Sequence, residues 1–159
     1  MIKVGDKMPA GTFTQITQEG PQKISAEDFF KGRKVVLFSV PGAFTPTCDA
    51  KHLPGFVEKA GDIKGKGVDA IACLAVNDAF VMKAWGKSQN ADGKVEILAD
   101  GNAEYTKALG LEMDATGYGM GIRGQRFSLV VDDGVVKQVN VEQKGEFKVS
   151  SAEHVLTQL

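Results

Sequence analysis

Two near-continuous apolar runs constrain this chain more than any other feature. Val35-Val36-Leu37-Phe38-Ser39-Val40 and Val68-Asp69-Ala70-Ile71-Ala72-Cys73-Leu74-Ala75-Val76 read as buried strands. The second has the composition of a strand covered on both faces, which requires a sheet packed between helical layers. The segments around them fit that demand. Thr47 to about Lys64 reads as a helix, with a bend expected near Pro54 and Gly55 because proline removes a backbone donor. Asn77 or Asp78 caps a helix running towards Lys87, with Phe80, Val81, Ala84 and Trp85 predicted on its apolar stripe. Val95 to Ala99 is a short strand, and Ala103 to Leu109 a short helix stopped by Gly110.

The two ends of the chain follow other patterns. Thr12 to Thr17 alternates enough for an edge strand, and Ser25 caps a short helix with Asp28 in its first turn. Phe127 to Asp132 and Val135 to Glu142 flank Asp133-Gly134, a hairpin signal. Ser150 or Ser151 starts a last helix, and Glu153 completes a capping box if Ser150 is the cap. The order predicts an α/β fold: a central mixed sheet flanked by helices, with an N-terminal strand extension and an antiparallel end. Pattern alone leaves several α/β folds open. Residues 1–159 read as one domain, long enough to bury a core.

Composition removes whole classes of function. Nineteen basic and 20 acidic residues give a net charge of −1, so no basic face invites nucleic acid. No apolar run approaches the roughly 20 residues that span a bilayer. The first residues are neither a signal peptide nor an Arg-rich transit peptide, so a cytoplasmic location away from membranes is expected. Two cysteines do not make a secreted disulfide scaffold. Together with two histidines they lack zinc-ligand spacing, so no metal is expected. Gly119-Met120-Gly121-Ile122-Arg123-Gly124 matches a dinucleotide fingerprint by letter, but it runs into a strand where the fingerprint opens a helix. No cofactor is expected, and the glycines are read as letting the loop bend close to the site.

The chemistry concentrates in Pro41-Gly42-Ala43-Phe44-Thr45-Pro46-Thr47-Cys48. A cysteine in the first turn of a helix faces unpaired N–H groups and the positive end of the helix dipole. Both favour the thiolate, which is the nucleophile. A buried structural cysteine is the competing reading, since free cysteines are often buried. Thr45, three residues before Cys48, stands where a Cys-x-x-Cys dithiol motif would carry its other cysteine. A hydroxyl cannot resolve a disulfide, but it can donate to a thiolate and accept from a peroxide O–H. His52 follows one turn after Cys48 and reads either as a tuner of the thiolate or as a local hydrogen-bonding residue. Cys73 reads as a buried structural thiol, because nothing nearby is basic enough to ionise it. Its pairing with Cys48 needs Cα atoms within about 7 Å and substantial unfolding of the active-site helix.

The Pro41, Thr45, Cys48 pattern resembles the active-site signature of the peroxiredoxins. The longer string through Lys51-His52-Leu53-Pro54-Gly55-Phe56 is similar to the type II, or peroxiredoxin 5, subfamily, and Arg126-Phe127-Ser128 continues the likeness. The resemblance implies a thioredoxin-like fold. It implies a thiol peroxidase that reduces hydrogen peroxide and alkyl hydroperoxides through a sulfenic acid on Cys48. Cys48, Thr45, Arg126 and Pro41 are its implied catalytic set, Arg126 holding thiolate and peroxide and Pro41 shielding the sulfur. Thr45, Cys48 and Arg126 are implied to bind substrate, with Phe44 and His52 as further candidates. The C-terminal stretch Glu146 to Ala152 lacks the resolving cysteine that some relatives carry, which points to an external thiol: glutathione with glutaredoxin, or thioredoxin. A homodimer with contacts near Phe44 and Phe80 is also implied. The alternative function is a thioredoxin-fold redox sensor or holdase acting on a protein partner; the intact set of four residues favours catalysis.

Overall fold

The computed structural model describes residues 1–159. Its elements are β1 (Thr12–Thr17), β2 (Gly20–Ser25), α1 (Ala26–Phe30), β3 (Lys34–Ser39), a wide π-type turn (Cys48–His52), α2 (Leu53–Glu58) and α3 (Ala60–Lys64). Then come β4 (Ala70–Ala75), α4 (Ala79–Ser88), β5 (Glu96–Ala99), α5 (Glu104–Leu109), β6 (Glu112–Asp114), β7 (Ile122–Gly124), β8 (Phe127–Asp132), β9 (Val135–Val141) and α6 (Ala152–Leu156). Seven strands form one mixed sheet in the order β2-β1-β5-β4-β3-β8-β9. β3, β4 and β5 run parallel, while β8 and β9 pair antiparallel on one side and β1 with β2 on the other. No helix is long and apolar enough to cross a membrane.

The two apolar runs occupy the middle of the sheet, where both faces are covered. Successive side chains point to opposite faces. Val36, Phe38, Ile71 and Cys73 therefore enter one core, shared with Phe56, Trp85 and Val155. Val35, Leu37, Ala72 and Leu74 enter the other, shared with Phe13, Phe30 and Tyr105. The site grows from the first of these layers, since Cys48 belongs to it.

Several boundaries differ from the sequence reading, each for a physical reason. β1 is an inner strand, because the polar strand β2 pairs with it along its whole length and takes the edge. The irregularities of the helix after Cys48 flank Pro54 on both sides. Pro54 lies in the first turn of α2, where its missing N–H costs nothing, and the π-type turn before it together with a break at Lys59 absorbs the irregularity. On α4 the buried residues are Ala79, Met82, Trp85 and Gly86; Phe80 and Ala84 are exposed. Asp78 is its cap, accepting from Val81 N–H. Ser151 caps α6 by accepting from His154 N–H, which leaves no capping box for Glu153 and frees Ser150 for other work. The glycine-rich loop turns between β6 and β7, a two-stranded hairpin that the sequence reading lacked, and it opens no helix.

Candidate active site

Cys48 begins the π-type turn after β3 and is fully buried. The loop from Pro41 to Thr47 leaves the C-terminal end of β3 and is tied down at Ala43, whose N–H donates to Asn77 Oδ1 at 2.9 Å. Gly42 sits so close to Arg123 and Thr45 that an added Cβ would lie 3.1 Å from each side chain. Phe44 takes a left-handed conformation, φ 63°, uncommon for a bulky residue, and its ring is half exposed. The loop is thus held in a shape its residues would not choose alone.

Thr45 Oγ1 donates to Gly42 O at 2.7 Å. The hydroxyl proton is therefore spent inside the loop. This corrects one expectation: the hydroxyl does not donate to the thiolate, but its lone pairs stay available to accept a peroxide O–H.

Arg126 enters from just before β8, the central antiparallel neighbour of β3. Its Nη2 donates to Cys48 Sγ at 3.1 Å, a short contact for sulfur. Its Nη1 donates to His52 Nδ1 at 2.8 Å. The other ring nitrogen, Nε2, donates to Ser150 O at 2.9 Å. A carbonyl can only accept, so the proton sits on Nε2 and Nδ1 is the acceptor. Burial and the Arg126 charge together lower His52 to about 3, so the ring is neutral at working pH. His52 therefore has no free nitrogen for a substrate. Its expected place in substrate binding is corrected: it is a prop behind the arginine. Phe147 completes the support, its ring 4.9 Å from that of His52 and 5.8 Å from Arg126 Cζ.

Arg123, the other arginine near this point in the chain, takes a different part. Its Nε donates to Met120 O at 2.9 Å and its Nη1 to Pro41 O at 3.4 Å, so it braces the Pro41 loop. Cys73 lies fully buried in β4, where burial and the nearby Cys48 push its thiol well above the ordinary range. It stays a thiol and is a poor nucleophile. The sequence reading gave Ser150 only as a helix start, Arg123 only as a rival to Arg126, and Phe147 no part at all. No local motif marks them, because each earns its place only when distant elements are brought together.

A cleft of about 380 Å³ opens onto this constellation, lined among others by Pro41, Thr47, Met113, Tyr118 and Arg126. Cys48 does not line it; Arg126, which does, reaches the sulfur. A cysteine nucleophile, a fixed guanidinium on its sulfur and a hydroxyl acceptor suit attack on a small oxidised substrate.

The chain matches the Redoxin family over residues 3–156. It is 52% identical to peroxiredoxin-2B of Arabidopsis thaliana, covering 99% of this chain and 98% of that protein. It is 53% identical to the chloroplastic peroxiredoxin-2E-2 of Oryza sativa subsp. japonica, covering 99% of this chain and 72% of that one. The crystal structure of reduced Prx3 from Vibrio vulnificus in complex with hydrogen peroxide superposes with a TM-score of 0.96 at 52% identity, covering 99% of both chains.

Proposed function

The chain belongs to the redoxin family as a type II peroxiredoxin, a thiol peroxidase of antioxidant defence, and on that premise we propose how its residues share the reaction. Cys48 is the peroxidatic nucleophile. Its thiolate attacks one peroxide oxygen, the S–O bond forms as the O–O bond breaks, and the sulfur is oxidised to sulfenic acid. The departing oxygen takes up a proton and leaves as water or alcohol. Arg126 holds the thiolate and then the developing charge on oxygen. Thr45 accepts the peroxide O–H and so orients the O–O bond. Pro41 walls the cleft and keeps water from the sulfur. The observation that carries this assignment is Arg126 Nη2 at 3.1 Å from Cys48 Sγ, fixed from behind by a neutral histidine.

The sulfenic acid is then reduced by an external thiol. Glutathione attacks Cys48, water leaves, and a mixed disulfide forms that glutaredoxin releases. Burial of Cys73 in β4 supports this, because the chain's one other thiol is enclosed in a strand core. Thioredoxin is the competing reductant. The cytoplasm, with its reducing glutathione pool, is the compartment this cycle suits. The chain works as a homodimer: Phe44, Phe80 and Tyr118 expose 52%, 67% and 75% of their surface, and an apolar partner surface would cover them.

Intact-mass measurement tests the cycle. One equivalent of hydrogen peroxide followed by glutathione should add one glutathione to Cys48, in the wild type and in Cys73→Ser alike. A rapid Cys48–Cys73 bond in the wild type, with turnover lost in Cys73→Ser, would overturn the external-thiol reading.

A further inference from the structure

Glu142 follows directly on β9 and is only 8% exposed. Its carboxylate faces no cation within salt-bridge distance. It accepts instead from one short stretch of chain: Lys148 N–H at 2.9 and 2.8 Å, Val149 N–H at 2.8 Å, Ser150 N–H at 2.8 Å and Ser150 Oγ at 2.7 Å. Burial alone would raise this carboxyl; the donors from Lys148, Ser150 and Val149 outweigh it and hold the group below its usual range. A loop can be closed without burying a charge, and burying one costs desolvation. The stretch it closes is the one that touches the arginine. Ser150 supplies the carbonyl that fixes the His52 ring, and Phe147 lies over the guanidinium. The main chain of Glu142 is anchored to the same residue, its N–H donating to Arg126 O at 3.0 Å.

We propose that residues 143–150 form a strap that positions Arg126 for the peroxide-reducing step, and that Glu142 is the positioning residue that clamps it. The inference rests on the reading of Arg126 given above. The chain of contact runs from the Glu142 carboxylate to Ser150, from Ser150 O to His52, from His52 to Arg126 and from Arg126 to the sulfur. A second, shorter path runs through Phe147. Glu142 lines the cleft beside Arg126 but makes no hydrogen bond to the sulfur. Its effect reaches the reaction through the guanidinium.

A double-mutant cycle on the full-length protein decides the matter, reading the second-order rate of Cys48 oxidation by hydrogen peroxide in a single turnover. Glu142→Gln keeps the size of the side chain but turns one acceptor oxygen into an amide NH2 donor facing N–H groups. It should slow oxidation on the order of tenfold, as a misplaced reacting group does. In an Arg126→Ala background the same change should have no further effect, within about twofold, because the group being positioned is gone. An undiminished rate in folded Glu142→Gln overturns the strap proposal, and so does an equal loss in both backgrounds, the mark of a merely structural residue. If Arg126→Ala itself keeps the full rate, the fault lies in the reading of Arg126 and the strap proposal falls with it. Should Glu142→Gln fail to fold, Phe147→Leu leaves the carboxylate and its donors intact, removes the ring from Arg126, and enters the same cycle with the same deciding outcomes.

Discussion

Arg126 makes two directed hydrogen bonds from one planar group, one to sulfur and one to a ring nitrogen. Lysine carries the same charge on a single point and cannot span both partners. Arg126→Lys should therefore lower the peroxide rate on the order of 100-fold, the loss typical of a missing transition-state donor. Stopped-flow oxidation measures it, and a rate within twofold of wild type would show that charge alone suffices. His52 adds a dependence on acid. Its folded value is lowered from 6.5 to about 3, so between those values the unfolded chain binds a proton that the folded chain excludes. Stability is complete above pH 6.5 and falls as the pH drops towards 3. By pH 5 the loss reaches about 2 kcal/mol. Glu142, also held below its usual value of 4.5, adds to the loss only below that point. His52→Gln keeps a donor for Ser150 and an acceptor for Arg126 but cannot titrate, so urea midpoints between pH 7 and 5 should flatten in it; a slope equal to wild type would clear His52 of the effect. Cys48, Thr45 and Pro41 were legible because they sit in one contiguous string. Arg126 was legible only through family likeness. The neutral prop of His52 was not legible at all, since its two partners lie far away in sequence and only folding reveals that both ring nitrogens are engaged.

At the scale of elements, the start of the active-site helix is pinned sideways. Asp49, next to the nucleophile, accepts from Trp85 Nε1 at 2.9 Å and Gln89 Nε2 at 2.7 Å, both on or at the end of α4. Trp85 is fully buried, so its indole N–H has no access to water. Asp49→Ala leaves that donor unsatisfied and should cost about 1–3 kcal/mol. Urea denaturation followed by Trp85 fluorescence measures the change directly, and a midpoint like that of the wild type would mean the π-type turn is held by other contacts. The long apolar strands and the Asp133-Gly134 hairpin were readable because period and turn chemistry agree over several residues. β2, β6 and β7 were not. β6 and β7 have three residues each, β2 is mostly polar, and all three exist because a neighbour offers hydrogen bonds. The stripe on α4 was misassigned because a helix with several apolar residues can bury more than one face, and the sheet chose the face with Met82 and Trp85.

The whole molecule is organised around β3 and β4, whose alternate residues feed both cores. We infer from this that residues 1–159 fold as one domain, because neither core can be lost without stripping one face of the same two strands. Phe56 and Phe13 probe the two sides. Phe56 stacks on Phe38 at 4.0 Å in the layer that holds Cys48. Phe13 packs against Phe29, Phe30 and Tyr105 in the other layer. Each Phe→Ala change opens a cavity and should cost about 3–5 kcal/mol. The two residues share no aromatic partner, so the costs should add. Against a total stability on the order of 5–15 kcal/mol either loss is a large share, and the double variant should lie about 6–10 kcal/mol below wild type. Far-ultraviolet circular dichroism and peroxidase activity should be lost together on heating in both single variants, including Phe13→Ala, whose cavity lies across the sheet from the sulfur. A Phe13→Ala protein that melts in two steps, keeping activity through the first, would divide the chain into independent units and sink the single-domain reading.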